Sequence, residues 1–154
     1  MGLAKEKPLY ATPTDYEDDF CQWTFEQAEL LRQKRFAEVD LPNLIEEIES
    51  MGNEQLHALE SSYRLLISHL LKWAYQPQLR TSSWSITIIR ERSHIFQREK
   101  RNPSLKGRAQ SIIEDIYPAA GREAVAETGL PRSAFPAECP WTPEELRNPD
   151  FMPD

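Results

Sequence analysis

The sequence is poor in the residues that build the commonest catalytic and metal-binding motifs. Its 154 residues include only two cysteines, three histidines and five glycines. Cys21 and Cys139 are isolated, without the paired spacing of a zinc site, and there is no glycine-rich phosphate loop or nucleophile-elbow serine. The sequence therefore excludes the signatures of zinc-binding modules, P-loop enzymes and α/β-hydrolases, and it predicts no cofactor.

Long apolar segments are also missing. No apolar run comes near the roughly 20 residues that a membrane-spanning helix needs. Residues 1–8 carry two lysines and a glutamate instead of the apolar stretch of a signal peptide. We therefore expect a cytoplasmic protein without a membrane partner, in which Cys21 and Cys139 are buried thiols rather than a disulfide.

Charge is distributed unevenly along the chain. The net charge is −7, which disfavours a general attraction to nucleic acid or to anionic membranes. Between residues 90 and 108, however, seven basic residues stand against only two glutamates. These basic residues are Arg90, Arg92, Arg98, Lys100, Arg101, Lys106 and Arg108. The chain is therefore predicted to be electrically polarised.

What the sequence does contain is a long helical pattern between Asp40 and Tyr75. Apolar residues recur there at steps of three and four, which places them on one face of a helix. Gly52 is expected to allow a bend in this helix without breaking it. Because such a stripe must be buried against other helices, we predict an all-α, four-helix-bundle-like single domain organised around it. The stripe consists of Leu44, Ile45, Ile48, Leu56, Leu59, Tyr63, Leu66, Ile67, Leu70 and Trp73.

The first helix is predicted to begin at Thr14, which forms a capping-box pattern with Glu17, and to end near Lys34. Asp40 is the expected cap of the central helix. The buried face of the first helix is predicted to consist of Tyr16, Phe20, Trp23, Gln27, Leu30 and Leu31.

Two further helices follow the central one in an antiparallel arrangement. The third is predicted to begin at a serine cap in residues 82–83 and to end near Lys100, with Glu91 on its buried line. The fourth is predicted to begin at residues 104–105, to be kinked or interrupted by Pro118, and to stop at Gly129.

The last segment is rich in proline and cannot form a long helix. Residues 131–154 contain six prolines interleaved with bulky apolar side chains. Thr142 and Glu145 form a capping-box pattern that predicts a single helical turn. We therefore predict a flexible arm at residues 1–13, a bundle at residues 14–130, and an extension at residues 131–154 that packs on the bundle.

Several segments together resemble a bacterial family that is catalogued as domain of unknown function 29. The likeness covers nearly the whole chain. It implies an all-helical fold, and it brings with it no established activity, substrate or cofactor. The similar segments are residues 16–20, 27–31, 43–52, 69–73, 103–105, 126–130 and 139–141, together with Trp23, Gln76-Pro77 and Ser83-Trp84.

Two Glu-x-x-His spacings raise the possibility of a metal site. Carboxylate-bridged dinuclear sites in helical bundles use two such pairs and one further glutamate from each of two other helices. His57, however, lies about 160° around the helix from Leu59, the centre of the apolar stripe, so it is expected to face solvent. The residues of this alternative are Glu54, His57, Glu91 and His94, completed nominally by Glu26 or Glu29 and by Glu114.

The carboxylates Glu46, Glu47 and Glu49 form a second candidate site. Neighbouring carboxylates can share acid–base work or bind a metal when the fold supplies a partner. The simpler interpretation is a charged edge of the core that pairs with Arg90 or Arg92.

A third candidate surrounds the end of the central helix. It consists of His69, Trp73, Tyr75, Arg80 and Trp84. Aromatic residues with arginine are typical of binding hot spots, and they are equally suited to closing the end of a bundle. His69 is interpreted as a histidine at the edge of the core, and a pocket, if the chain has one, is expected here.

These observations lead to three functional hypotheses. The leading one is a non-enzymatic interaction protein that binds another protein or itself through charged helical surfaces. The second is a small metal-dependent or acid–base enzyme that uses Glu46, Glu49 and His69 or the two Glu-x-x-His pairs. The third is association with nucleic acid through the basic residues between Arg90 and Arg108.

Overall fold

The computed structural model describes residues 6–154, and this part of the chain contains helices and no strand, which confirms the all-α prediction. Short 3₁₀ turns lie at Phe36–Glu38, Pro77–Leu79 and Arg132–Ala134. Among the described residues, no helix is long and apolar enough to cross a membrane. The six α-helices are α1 (Phe20–Arg32), α2 (Leu41–Tyr75), α3 (Ser82–Arg101), α4 (Pro103–Lys106), α5 (Ala109–Thr128) and α6 (Pro143–Arg147).

The chain forms two compact units, Met1–Gly52 and Asn53–Asp154, which we call the N-terminal and C-terminal units. Helix α2 is continuous across the division and contributes residues to both. The first five residues of the predicted arm lie outside the described residues. Within the rest of the arm, the Leu9 amide donates to Glu38 Oε1 at 2.9 Å. The flexibility predicted for residues 1–13 stays a prediction.

Helix α1 begins later than the sequence predicted. The amide and hydroxyl of Thr14 donate to the carboxylate of Glu26 at 2.9 and 2.8 Å, so Thr14 does not cap a helix with Glu17. The cap is Asp19, whose carboxylate accepts from the Gln22 amide at 2.9 Å. The predicted start was wrong because the hydroxyl of Thr14 is engaged by a residue 12 positions away.

The N-terminal unit is built around Trp23, which is 1% exposed. Tyr16 meets the indole edge-on with ring centroids 5.0 Å apart, and the indole N–H donates to Asp40 Oδ2 at 3.1 Å. Of the predicted buried face, Trp23, Gln27 and Leu30 are buried. Phe20 and Leu31 are exposed, contrary to the prediction.

Helix α2 begins at the residue after Asp40 and runs without interruption through Gly52 to Tyr75, as predicted. The predicted stripe is buried only in the C-terminal unit. There the core of buried apolar side chains draws on α2, α3, α4, α5 and the C-terminal tail, with Leu59 and Leu70 completely buried. In the N-terminal unit, Ile45 and Ile48 are 47% and 55% exposed, so the prediction of their burial was wrong.

The later helix boundaries differ from the predictions in detail. The cap of α3 is Thr81, whose hydroxyl accepts from the Trp84 amide, rather than one of the two following serines. The predicted fourth helix is divided into α4 and α5. Helix α5 continues through Pro118 without interruption, which leaves a kink as the predicted alternative. The helix ends at Thr128, and Gly129 follows it in the left-handed conformation (φ 73°), which confirms the predicted stop.

The proline-rich tail packs on the C-terminal unit, as predicted. Phe135 and Leu146 are buried in the core of this unit. The Tyr117 hydroxyl donates to the carbonyl of Pro136 at 2.7 Å. Thr142 and Glu145 form the predicted capping box at the start of α6.

Both cysteines are free thiols. Cys139 is half-buried, and burial raises the pKa of its thiol. Cys21 is exposed, so the prediction that it is buried was wrong.

Candidate functional site

The predicted carboxylate cluster lies on the surface of the N-terminal unit. Glu46 and Glu49 are exposed, and neither makes a hydrogen bond or a salt bridge among residues 6–154. Glu47 accepts a hydrogen bond from the Tyr16 hydroxyl. This bond raises the pKa of Tyr16 to about 12. The cluster is therefore an acidic surface, and only Glu47 is tied into the packing of its unit.

The arginines suggested as partners of these carboxylates are engaged elsewhere. Arg90 Nε lies 3.3 Å from Glu91 Oε1. Arg92 Nε donates to the carbonyl of Leu146 at 2.9 Å. Arg92 therefore links α3 to the C-terminal tail, whereas Arg90 pairs, among the described residues, only with its neighbour on the same helix.

The two Glu-x-x-His pairs occupy different environments. Glu54 and His57 are exposed as predicted, and His57 Nδ1 lies 3.1 Å from Glu60 Oε2. Glu91 is buried on the predicted line of α3, with His94 Nδ1 3.3 Å from its Oε2. Within residues 6–154, no three side chains of His, Cys, Asp or Glu are grouped in a way that could hold a metal ion.

The remaining carboxylates of the metal hypothesis have local partners. Glu29 pairs with Arg32 on its own helix. Glu114 accepts from the Gln110 amide group at 2.9 Å.

The structure places Trp84 and His69 of the third candidate set beside a buried lysine that was not among the predicted site residues. Lys72 is 2% exposed, pairs with Glu127, and holds its ammonium 5.0 Å from the centre of the Trp84 ring. The sequence carried a signal for this burial. Leu66 and Leu71 lie about 140° apart around the helix and are both fully buried, so α2 is covered on more than one side there.

Arg80 and Trp73 form a second contact at the same end of α2. The guanidinium lies 4.8 Å from the centre of the indole ring, and Nε donates to the Trp73 carbonyl at 2.8 Å. Tyr75 meets Phe135 edge-on, with ring centroids 5.3 Å apart. At this end of α2, Lys72 is therefore paired with a carboxylate and an aromatic ring, and Arg80 with an aromatic ring and a backbone carbonyl. The geometry favours a role in closing the end of the core.

His69 is half-buried beside this cluster, and its Nδ1 lies 2.8 Å from the Leu65 carbonyl. Burial lowers the pKa of the imidazole, and the nearby ammonium of Lys72 lowers it further. The folded protein therefore favours the neutral ring.

We expect the pH dependence of stability to report this shift in the pKa of His69. Because the folded pKa lies below the unfolded value of about 6.5, protonation favours the unfolded chain, and stability should fall as the pH drops through that value. Urea unfolding between neutral and mildly acidic pH checks this, with His69→Gln as the comparison. An unchanged pH slope in the variant would contradict the assignment.

Two helix faces carry exposed apolar side chains. The first, on α2 in the N-terminal unit, consists of Leu41, Ile45, Ile48 and Met51, which are 56%, 47%, 55% and 58% exposed. Residues 41–52 include three glutamates and no lysine or arginine. We call this surface the acidic apolar face.

The second lies on α3 in the C-terminal unit. Ile86, Ile89 and Phe96 are 59%, 66% and 67% exposed and follow one stripe of the helix. The sequence pattern predicted only the opposite, buried line of this helix. Exposed basic residues accompany the stripe, and we call this surface the basic apolar face. These basic residues are Arg90, Lys100 and Arg101.

Comparison with known proteins gives one match. The model of a family described as "Domain of unknown function DUF29" matches residues 16–152. Neither the curated proteins nor the solved structures include a match. The family match confirms the resemblance found in the sequence, and it spans segments of both units.

Proposed function

We propose that this chain, which belongs to the family described as Domain of unknown function DUF29, is a cytoplasmic, non-enzymatic interaction domain that binds a second copy of itself. The observation that carries the proposal is the presence of two exposed apolar helix faces whose surrounding charges have opposite signs. In the proposed complex, the acidic apolar face of one copy packs on the basic apolar face of the other.

The apolar side chains of both faces are exposed in rows along their helices. A single exposed leucine or isoleucine is ordinary on a protein surface, whereas a row of them along one helix face is typical of an interaction site. Ile45 and Ile48 form such a row on α2, and Ile86 and Ile89 form another on α3. Packing one helix stripe against another would remove both from water.

The charges around the two faces favour a second copy of the chain as the partner. Residues 41–52 have a net charge of −3, from three glutamates and no basic residue. Helix α3 carries five basic residues and two glutamates, a net charge of +3. Opposite potentials steer encounter and disfavour wrong partners. Because both surfaces occur on every copy, each copy carries both halves of this contact.

Charge reversal provides the test of this proposal. Glu46→Lys with Glu49→Lys should weaken dimerisation about tenfold or more, and Arg90→Glu with Arg101→Glu should do the same, because each places like charges across the interface. A chain with all four substitutions should recover most of the affinity, since the signs are again opposite. Sedimentation velocity over a range of protein concentrations measures these constants.

A matched control reverses two glutamates outside both faces. Glu138→Lys with Glu144→Lys changes the net charge equally in exposed positions of the C-terminal tail, and it should leave dimerisation unchanged. A wild-type chain that stays monomeric at millimolar concentration would overturn the proposal. So would a chain with all four reversals that binds no better than either pair alone.

The other two hypotheses make separate predictions. Metal that co-purifies in stoichiometric amount would favour the metal-dependent alternative. Binding to nucleic acid with a steep dependence on salt would favour the basic segment as a phosphate-contacting surface.

A further inference from the structure

The C-terminal unit contains a basic cleft, whose residues include three of the basic side chains considered above for nucleic acid. It lies beside the C-terminal half of α3, helix α4 and helix α6, and has a volume of about 460 Å³. Its cationic lining comes from Arg92, Lys100, Lys106 and Arg147, and the carboxylate is Glu99. The helices therefore bring three basic side chains from residues 92–106 and a fourth, Arg147, from the C-terminal tail around one small space.

The single carboxylate in the cleft is already neutralised. Arg147 donates from Nε to Glu99 Oε1 at 2.7 Å and from Nη2 to Oε2 at 3.0 Å. The Tyr63 hydroxyl also donates to Glu99 Oε2, at 3.0 Å. With Glu99 and Arg147 cancelling each other, the other three basic side chains leave the cleft with an uncompensated charge of +3.

Arg92 is the most unusual member of this set. It is only 6% exposed and forms no salt bridge with any described residue. Its Nε is used by the Leu146 carbonyl and its Nη1 lies 4.0 Å from the sulfur of Met152, but its buried Nη2 has no hydrogen-bond partner within residues 6–154. A buried cationic group without a counter-charge is costly, and an anion in the cleft that Arg92 lines would supply one.

We propose that this cleft binds a phosphate group, either as the free ion or as a phosphate monoester. A phosphate carries close to two negative charges at neutral pH and three acceptor oxygens, which matches one arginine and two lysines. Phe96, which is 67% exposed, lines the same cleft and offers an apolar surface to the organic part of an ester. The inference does not rest on the proposed self-association, although Phe96 and Lys100 belong both to the cleft and to the basic apolar face.

Titration calorimetry of the full chain with phenyl phosphate and with inorganic phosphate, at low ionic strength, tests this site. Binding with a Kd below about 1 mM is expected for at least one of the two probes. Tighter binding of phenyl phosphate identifies an ester, and equal or tighter binding of inorganic phosphate identifies the free ion. Phenol, which lacks the phosphate group, should produce no binding heat.

Three substitutions locate the binding. Lys100→Ala and Lys106→Ala should each weaken binding about tenfold, because each removes one charge-assisted contact from an exposed side chain. Arg92→Lys keeps the charge, removes Nη2, and should weaken binding comparably. Lys106 lies outside the basic apolar face, so its variant separates phosphate binding from self-association.

Arg101→Ala is the matched control, because Arg101 is an exposed cation next to Lys100 that does not line the cleft. It should leave the Kd unchanged. Absence of binding heat with both phosphate probes would overturn the proposal, and so would an equal loss of affinity in Arg101→Ala and Lys106→Ala. If Arg92→Lys does not fold, the two lysine variants decide the outcome.

Discussion

Arg147→Ala is expected to lower the free energy of unfolding by about 3 kcal/mol, because it leaves the carboxylate of Glu99 buried without its cation. Glu99 is 3% exposed and receives both hydrogen bonds from the guanidinium. The Tyr63 hydroxyl stays as its remaining donor, and burial together with the charge of Glu99 raises the pKa of that hydroxyl. Urea unfolding followed by circular dichroism measures the change.

A double variant separates the loss of the ion pair from the loss of packing. Replacing Arg147 with Met and Glu99 with Leu removes both charges, so it should cost much less than Arg147→Ala alone. Because Glu99→Leu removes the acceptor of the Tyr63 hydroxyl, adding Tyr63→Phe to the double variant measures the cost of leaving that hydroxyl unpaired. If Arg147→Ala lowers the free energy of unfolding by less than about 1 kcal/mol, the ion pair contributes no more than a solvent-exposed pair does, and the expectation is wrong.

Trp23→Ala is expected to destabilise the N-terminal unit by about 4 kcal/mol, the range for removing a fully buried aromatic side chain. The indole is almost completely buried, packs against Tyr16, and donates to Asp40. Truncation to alanine removes this packing and leaves a cavity. It also removes the indole N–H that donates to the carboxylate of Asp40. Circular dichroism is the suitable signal, because the substitution also removes a fluorophore.

Phe25→Ala on the same helix is the matched control. Phe25 is 70% exposed, so its truncation should change stability by no more than about 0.5 kcal/mol. If both substitutions lowered the free energy of unfolding equally, the contrast between a buried Trp23 and an exposed Phe25 would be contradicted.

The extent of the central helix could be predicted because local signals mark both ends. Asp40 precedes the first turn, and Gln76-Pro77 cannot continue a helix, so α2 was placed within one residue at its N-terminal end and correctly at its C-terminal end. The capping box at Thr142 and the stop at Gly129 were predictable for the same reason. The start of α1 was not predictable, because the hydroxyl of Thr14 donates to the carboxylate of Glu26, 12 positions along the chain, instead of capping the helix.

The binding surfaces were less predictable, because periodicity identifies a helix face but not what covers it. Ile45 and Ile48 continue the stripe of α2, yet they are exposed, whereas Leu59 in the same stripe is fully buried. The sequence equally could not predict that Arg92 meets the carbonyl of Leu146, 54 positions away. That contact depends on where the tail packs, and it is what brings the cleft residues together.

The continuity of α2 through Gly52 determines how its backbone amides exchange hydrogen with water. If the N-terminal unit opens, residues 41–52 become a free helix end, and helix ends fray progressively from the terminus. The amides of residues 59–72 belong to the buried core and exchange only when that core opens. One uninterrupted ladder of hydrogen bonds should therefore show two levels of protection, with the transition close to Gly52.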